Sequence, residues 1–159
     1  MAEAREVLVR GLELASRCDD VEQVARANLF LAIAAYLEGD HALARDRLAA
    51  SLPGYARVAH WNGVASALQC FAALAMVEAD PVRAMRLTGA AEAIRERIGA
   101  PLGSGWQELF SSLVTGPAVA TSGERAREAR AAGACIVRAG GDRVRAGLVR
   151  AGGRADANG

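Results

Sequence analysis

The chain has 159 residues, enough for one ordinary domain with a single core and too few for two. Apolar residues make up 52% of it and aromatics only 4%, a balance that favours closely packed, alanine-rich helices over sheet. The formal charge of +1 leaves no global field to draw the chain to nucleic acid or to an acidic membrane.

All 19 basic residues are arginine. Exposed helix faces accept lysine equally well, so this bias reads as the codon usage of a GC-rich, bacterial genome and not as a binding signal. Cys18, Cys70 and Cys135 are far apart and lack C-x-x-C spacing, so they read as reduced thiols of a cytoplasmic protein. The charged start, Met1 to Glu6, has no apolar segment of a signal peptide. No uncharged stretch reaches the roughly 18 to 20 residues that span a bilayer. The apolar window Leu29 to Leu37 reads as a buried helix.

In chain order, residues 2–17 carry Val7, Leu8, Leu12 and Ala15 on one stripe and predict a first amphipathic helix. Asp19-Asp20 with Gln23 forms a capping-box variant, opening a second helix from Val21 to Glu38 that Gly39 stops. Asp40 caps a third helix over 41–52, which Pro53-Gly54 is expected to end. A fourth is predicted from Tyr55 to Ala79, with Gly63 bending it or delaying its start. Asp80-Pro81 is the sharpest start signal, a capping carboxylate followed by proline at the first helical position. The fifth helix runs from there to Ile98 and stops at Gly99. Ser104-Gly105-Trp106-Gln107 opens a sixth near 105–114.

Self-comparison aligns Gly39-Asp40-His41-Ala42-Leu43-Ala44 with Ala79-Asp80-Pro81-Val82-Arg83-Ala84 at an offset of 40. The same offset relates Leu8, Leu48 and Thr88, and also Gly11, Ser51 and Ala91. Small residues recur where neighbouring helix axes would cross closely. Two helices per period is the pattern of an α-solenoid, and the predicted class is all-α.

These residues resemble a tetratricopeptide repeat. One unit offers Ala32, Ala35, Gly39-Asp40, Ala44, Leu48 and Ser51; the next offers Ala72, Ala75, Ala79-Asp80, Ala84, Thr88 and Ala91. The family's aromatic is alanine in both units, and the period exceeds the usual ~34 residues. The run Leu87 to Pro101 (LTGAAEAIRERIGAP) is similar to a segment of the helical repeats that follow the nucleotide-binding domain in actinobacterial LuxR-type and related ATP-dependent regulators. The stretch Ala67 to Ala75 fits the same context. A P-loop cannot be written without lysine, so ATP binding is not carried over, and no helix-turn-helix is evident.

The expected organisation is a helical-repeat domain over 1–115, about two and a half repeats of 40 residues, then an Ala/Gly/Arg-rich tail over 116–159. In that tail 29 of 44 residues are Ala, Gly or Arg, so it is expected to be disordered or partly helical. Its eight arginines face four acids, whereas residues 1–115 carry 11 against 14. The first helix lacks an earlier partner, so the chain reads as a piece of a longer solenoid.

No acid, base and nucleophile stand at motif spacing, so no enzyme, cofactor or metal site is expected. His41 and His60 read as ordinary surface histidines, Cys18 and Cys70 as small buried hydrophobes, and Trp61 and Trp106 as packing anchors. What the resemblance implies is a concave face of the first helix of each pair, meeting a protein or peptide through Arg26, Leu29, Ile33 and Tyr36, then Gln69, Ala73 and Met76. Packing against a further repeat or a second copy is the competing use of those residues, through self-association of unpaired terminal repeats. The expected role is a non-enzymatic interaction or regulatory module, a fragment of an ATP-dependent transcriptional regulator. Nucleic-acid binding through the Arg-rich tail is the alternative, with no interleaved aromatics to support it.

Overall fold

The computed structural model describes residues 2–108, 110 and 123–152, and all regular structure among them is helical. The helices are α1 (Ala2–Arg17), α2 (Val21–Leu37), α3 (His41–Arg57), α4 (Trp61–Val77), α5 (Pro81–Ile98) and α6 (Gly123–Gly152). A further helical stretch covers 104–108. No helix among the described residues is long and apolar enough to cross a membrane.

Helices α2 to α5 start at residues 21, 41, 61 and 81, twenty apart, because one turn is used four times. The residue two before each start takes a left-handed backbone: Asp19 (φ 53°), Gly39 (83°), Ala59 (53°) and Ala79 (57°). The next amide then reaches back five residues, from Asp20 to the Ala15 carbonyl (3.0 Å), Asp40 to Ala35 (2.9 Å), His60 to Tyr55 (2.9 Å) and Asp80 to Ala75 (2.9 Å). That is a Schellman closure, which satisfies carbonyls left unpaired at a helix C-terminus. The same residue caps the next helix. Carboxylates of Asp20, Asp40 and Asp80 accept from the amides of Gln23 (3.1 Å), Leu43 (3.0 Å) and Arg83 (3.0 Å). His60 occupies the equivalent place without a side-chain cap bond. Only Gly39 adopts the left-handed turn freely; a residue with a Cβ pays about 1–2 kcal/mol there.

The third and fourth predicted helices are corrected. α3 continues through Pro53 to Arg57, and Tyr55 belongs to it; α4 begins at Trp61. Proline removes the hydrogen bond to the carbonyl four residues back, here that of exposed Ala49, where water can substitute. Gly54 stays helical because α3 crosses α2 at that point: a Cβ there would lie 2.9 Å from the Ala25 Cβ and 3.2 Å from the Val21 carbonyl oxygen. Gly63, in the first turn of α4, leaves room for the fully buried Tyr55 ring.

Each helix of α1 to α5 packs on the next, and α2 also touches α4. One core joins Ala25, Leu29, Ala32, Ala35, Ala44, Leu48, Tyr55, Ala67, Cys70 and Leu74. A second joins Ala72, Ala73, Ala75, Ala84 and Met85 to Ala129 of α6. The offset of forty seen in sequence recurs as a contact. Arg5 of α1 pairs with Glu38 at the end of α2 (3.2 Å), and Arg45 of α3 pairs with Glu78 at the end of α4. The corresponding alanines, Ala32 and Ala72, Ala35 and Ala75, Ala44 and Ala84, are all buried.

The predicted tail contains α6, which packs along α5. Gly89 and Gly133 make the crossing. A Cβ on Gly89 would collide with the Arg130 carbonyl, and one on Gly133 with that of Arg86, so backbone meets backbone. Glu92 accepts from Arg130 (2.8 Å to Nε), and Glu96 from Arg138 (3.0 Å). The predicted boundary at 115/116, most of the second half of the predicted sixth helix, and residues 153–159 lie outside the described residues.

Candidate functional site

The seven residues expected to meet a partner fall in four places. Arg26, Leu29 and Ile33 of α2 line a hollow of about 470 Å³ that Pro101, Leu102, Gly103, Trp106 and Phe110 also line. Ile33, Tyr36 and Ala73 line a narrow apolar crevice between α2 and α4, again walled by Trp106 and Phe110. Gln69 faces a third hollow, beside α5, and Met76 packs against the core shared with α6. Arg26 is exposed and Ile33, Tyr36 and Met76 are half-buried, whereas Leu29, Gln69 and Ala73 are buried.

Residues 101–110 account for much of this. After the left-handed Gly99, the chain turns back across α2 and α4. Leu102 packs on the first core, and Phe110 is only 7% exposed within it. The Trp106 ring stacks on Phe110 (5.9 Å) and tilts against Phe30 of α2 (6.5 Å). Trp106 and Phe30 keep substantial exposure, so an aromatic rim surrounds the 470 Å³ hollow. Trp106 anchors packing as its sequence context implied; that it does so over α2 had no local signal, since Gly99, Pro101 and Gly103 announce only a turn.

The third hollow, about 620 Å³, lies between α4, α5, α6 and residues 99–107. Its walls include Gln69, Met85, Glu92, Arg95, Phe110 and Arg130. Arg95 is only 5% exposed, unusual for arginine. One guanidinium nitrogen, Nη2, donates to Ser66 Oγ (3.1 Å), while Nε and Nη1 have no partner among the described residues. Gln69 Oε1, one helical turn from Ser66 on α4, is also buried without a partner. Burial pulls the Arg95 guanidinium below arginine's ordinary value, opposed by Cys70 and Glu92. Burial likewise pushes the Cys70 thiol up to about 12, so it is a neutral filler and no nucleophile.

The histidines serve the turns. His41 lies against Tyr36 and His60 against Tyr55, ring centroids 5.3 Å apart in both. Among the described residues no three His, Cys, Asp or Glu side chains converge as a metal site. Trp61 supports the end of α5, its ring lying 5.4 Å from the Arg97 guanidinium carbon. The geometry offers surfaces and hollows of mixed polarity, with one buried cation only partly satisfied. No family model, no curated protein and no solved structure matches this chain.

Proposed function

We propose that this chain is a non-enzymatic interaction module built of tetratricopeptide-like helical hairpins, stacked as an α-solenoid, of the kind found in the repeat arms of ATP-dependent LuxR-type regulators. The observation that carries the reading is the recurrence, forty residues apart, of the Arg5–Glu38 and Arg45–Glu78 pairs across equivalent helices. A contact between helices recurs at a fixed period when successive units stack the same way. The equivalent buried alanines and the common turn support it.

The partner surface in this reading is the aromatic-rimmed hollow at α2, with Arg26 at its edge and Leu29 and Ile33 at its floor. A protein or peptide segment would add an apolar side chain there, beside Phe30 and Trp106, while Arg26 meets a carboxylate or backbone carbonyl. The nucleic-acid alternative is weakened by α6 itself, since Arg130 and Arg138 are held by Glu92 and Glu96.

A photo-activatable cross-linking residue at Arg26, compared with one at exposed Ala49 of α3, tests this in the cell that makes the protein. A discrete cross-linked protein from position 26, absent from 49 and lost with Ile33→Asp, is the expected result. Equal cross-linking from both positions, or none from 26, contradicts the reading.

A further inference from the structure

We propose that the 620 Å³ hollow beside α5 binds a small apolar monocarboxylate bearing an amine or hydroxyl next to its carboxyl group, an α-amino or α-hydroxy acid, with Arg95 as the anion anchor and Gln69 as the acceptor. The inference is independent of the partner surface at α2, because it rests on other residues and another hollow.

Arg95 and Gln69 both line this hollow, and three of their polar atoms, Arg95 Nε and Nη1 and Gln69 Oε1, are buried without partners among the described residues. Each such atom carries an unrecovered desolvation cost, so their presence calls for a specific cause. Two donors belonging to a cation, beside one acceptor, are complementary to a carboxylate with a neighbouring N–H or O–H. The spacing is short, because Arg95 is tied to Ser66 and Gln69 stands one turn along the same helix. Those nitrogens are covered by neighbouring atoms, so the proposed binding requires the long Arg95 side chain to rotate them into the hollow.

The rest of the lining sets the ligand's charge and body. Glu92 is engaged by Arg130, and Glu96 by Arg138, which leaves Arg95 as the cation without a carboxylate partner among the described lining residues. Arg95 and Arg130 offset Glu92 and Glu96, so the lining carries no net charge, which suits a monoanion and disfavours a phosphate dianion. Met85, Leu102 and Phe110 supply an apolar wall for a branched or aromatic side chain. The volume lies within the ~300–1,000 Å³ typical of small-molecule sites.

The test is a two-dimensional ¹H–¹⁵N titration of the full chain with L-leucine and with 2-hydroxy-4-methylpentanoate. Controls are L-leucinamide, which lacks the carboxylate, and inorganic phosphate. The expected result is saturable shifts of amides around residues 66–69 and 92–95 with at least one of the two acids, at millimolar concentration or below. The acid that binds more tightly identifies the neighbouring group as amine or hydroxyl. Leucinamide should bind at least about tenfold more weakly, as should the acid to Arg95→Gln. Gln69→Leu removes a buried orphan and should keep the fold while weakening binding several-fold. The proposal is overturned by leucinamide or phosphate binding as well as the acids, or by no saturable shift with either acid. It is equally overturned by undiminished binding to folded Arg95→Gln or, where that variant fails to fold, to Gln69→Leu.

Discussion

Cys70 shows how strongly burial alone sets the chemistry of a residue in this molecule. Its thiol lies in the first core, and loss of water raises its titration to about 12 against an ordinary 9.0. Cys18, expected to be a small buried hydrophobe, is instead exposed in the turn after α1, and Cys135 is exposed too. A thiol-specific disulfide reagent at about pH 8 should therefore modify two cysteines quickly and the third only at the rate of unfolding. Rapid modification of all three would show that α2, α3 and α4 do not close around Cys70. The sign of the pH effect follows from the same burial. A thiol whose folded value is raised lends stability that is full below its unfolded value of about 9 and is lost as pH rises towards about 12. Tyr36 and Tyr55 are shifted upward chiefly by burial and act in the same direction. Unfolding monitored from neutral to alkaline pH should thus show stability falling above about pH 9.

At the level of elements, the close approach of α5 and α6 depends on two glycines facing each other's partner backbone. Gly89→Ala should force the axes apart and cost about 1–3 kcal/mol, measured by denaturant unfolding. Adding Gly133→Ala should cost less than the sum of the single changes, since one methyl already opens the crossing. Additive or negligible effects would mean that the helices do not cross there. The sequence disclosed part of this level well. Asp20, Asp40 and Asp80 are local signals whose carboxylates cap the helix that follows them, so α2 and α5 were legible almost to the residue. The start of α4 was not, because His60 makes no side-chain cap bond and Ala59 takes the left-handed turn that glycine usually marks. Pro53-Gly54 misled for a tertiary reason. Proline's lost bond falls on exposed Ala49, and the glycine is fixed by contact with Ala25, neither of which is visible locally. α6 was obscured by composition: glycine lowers helix propensity, yet at Gly133 it is what allows the helix to dock. The candidate site divides the same way. Arg26, Leu29, Ile33 and Tyr36 were expected to meet a partner only through the resemblance to stacked repeats, whereas Arg95 stands out only by its burial and by nitrogens without partners among the described residues.

For the whole molecule, one turn used four times produces a chain of nearest-neighbour helix contacts, extended at the α5 end by α6. Stability in such an arrangement is a sum of neighbour interfaces, so the terminal elements open first unless something covers them. α1 has an exposed outer face, including Val7 and Leu14, whereas α5 is covered by α6. Residues 101–110 add a second tie across α2 and α4, through Leu102 and Phe110. The proposed hollow beside α5 and the proposed partner surface at α2 therefore both depend on residues 101–110, and the hollow on α6 as well. Hydrogen–deuterium exchange by mass spectrometry on the full chain tests that dependence most directly. The account predicts slow exchange through α2, α4 and α5, comparable protection over residues 126–137 of α6, and faster exchange in α1. Exchange over 126–137 as fast as in an unstructured peptide, with α5 still protected, would contradict it, and the hollow beside α5 would have to be redrawn without α6.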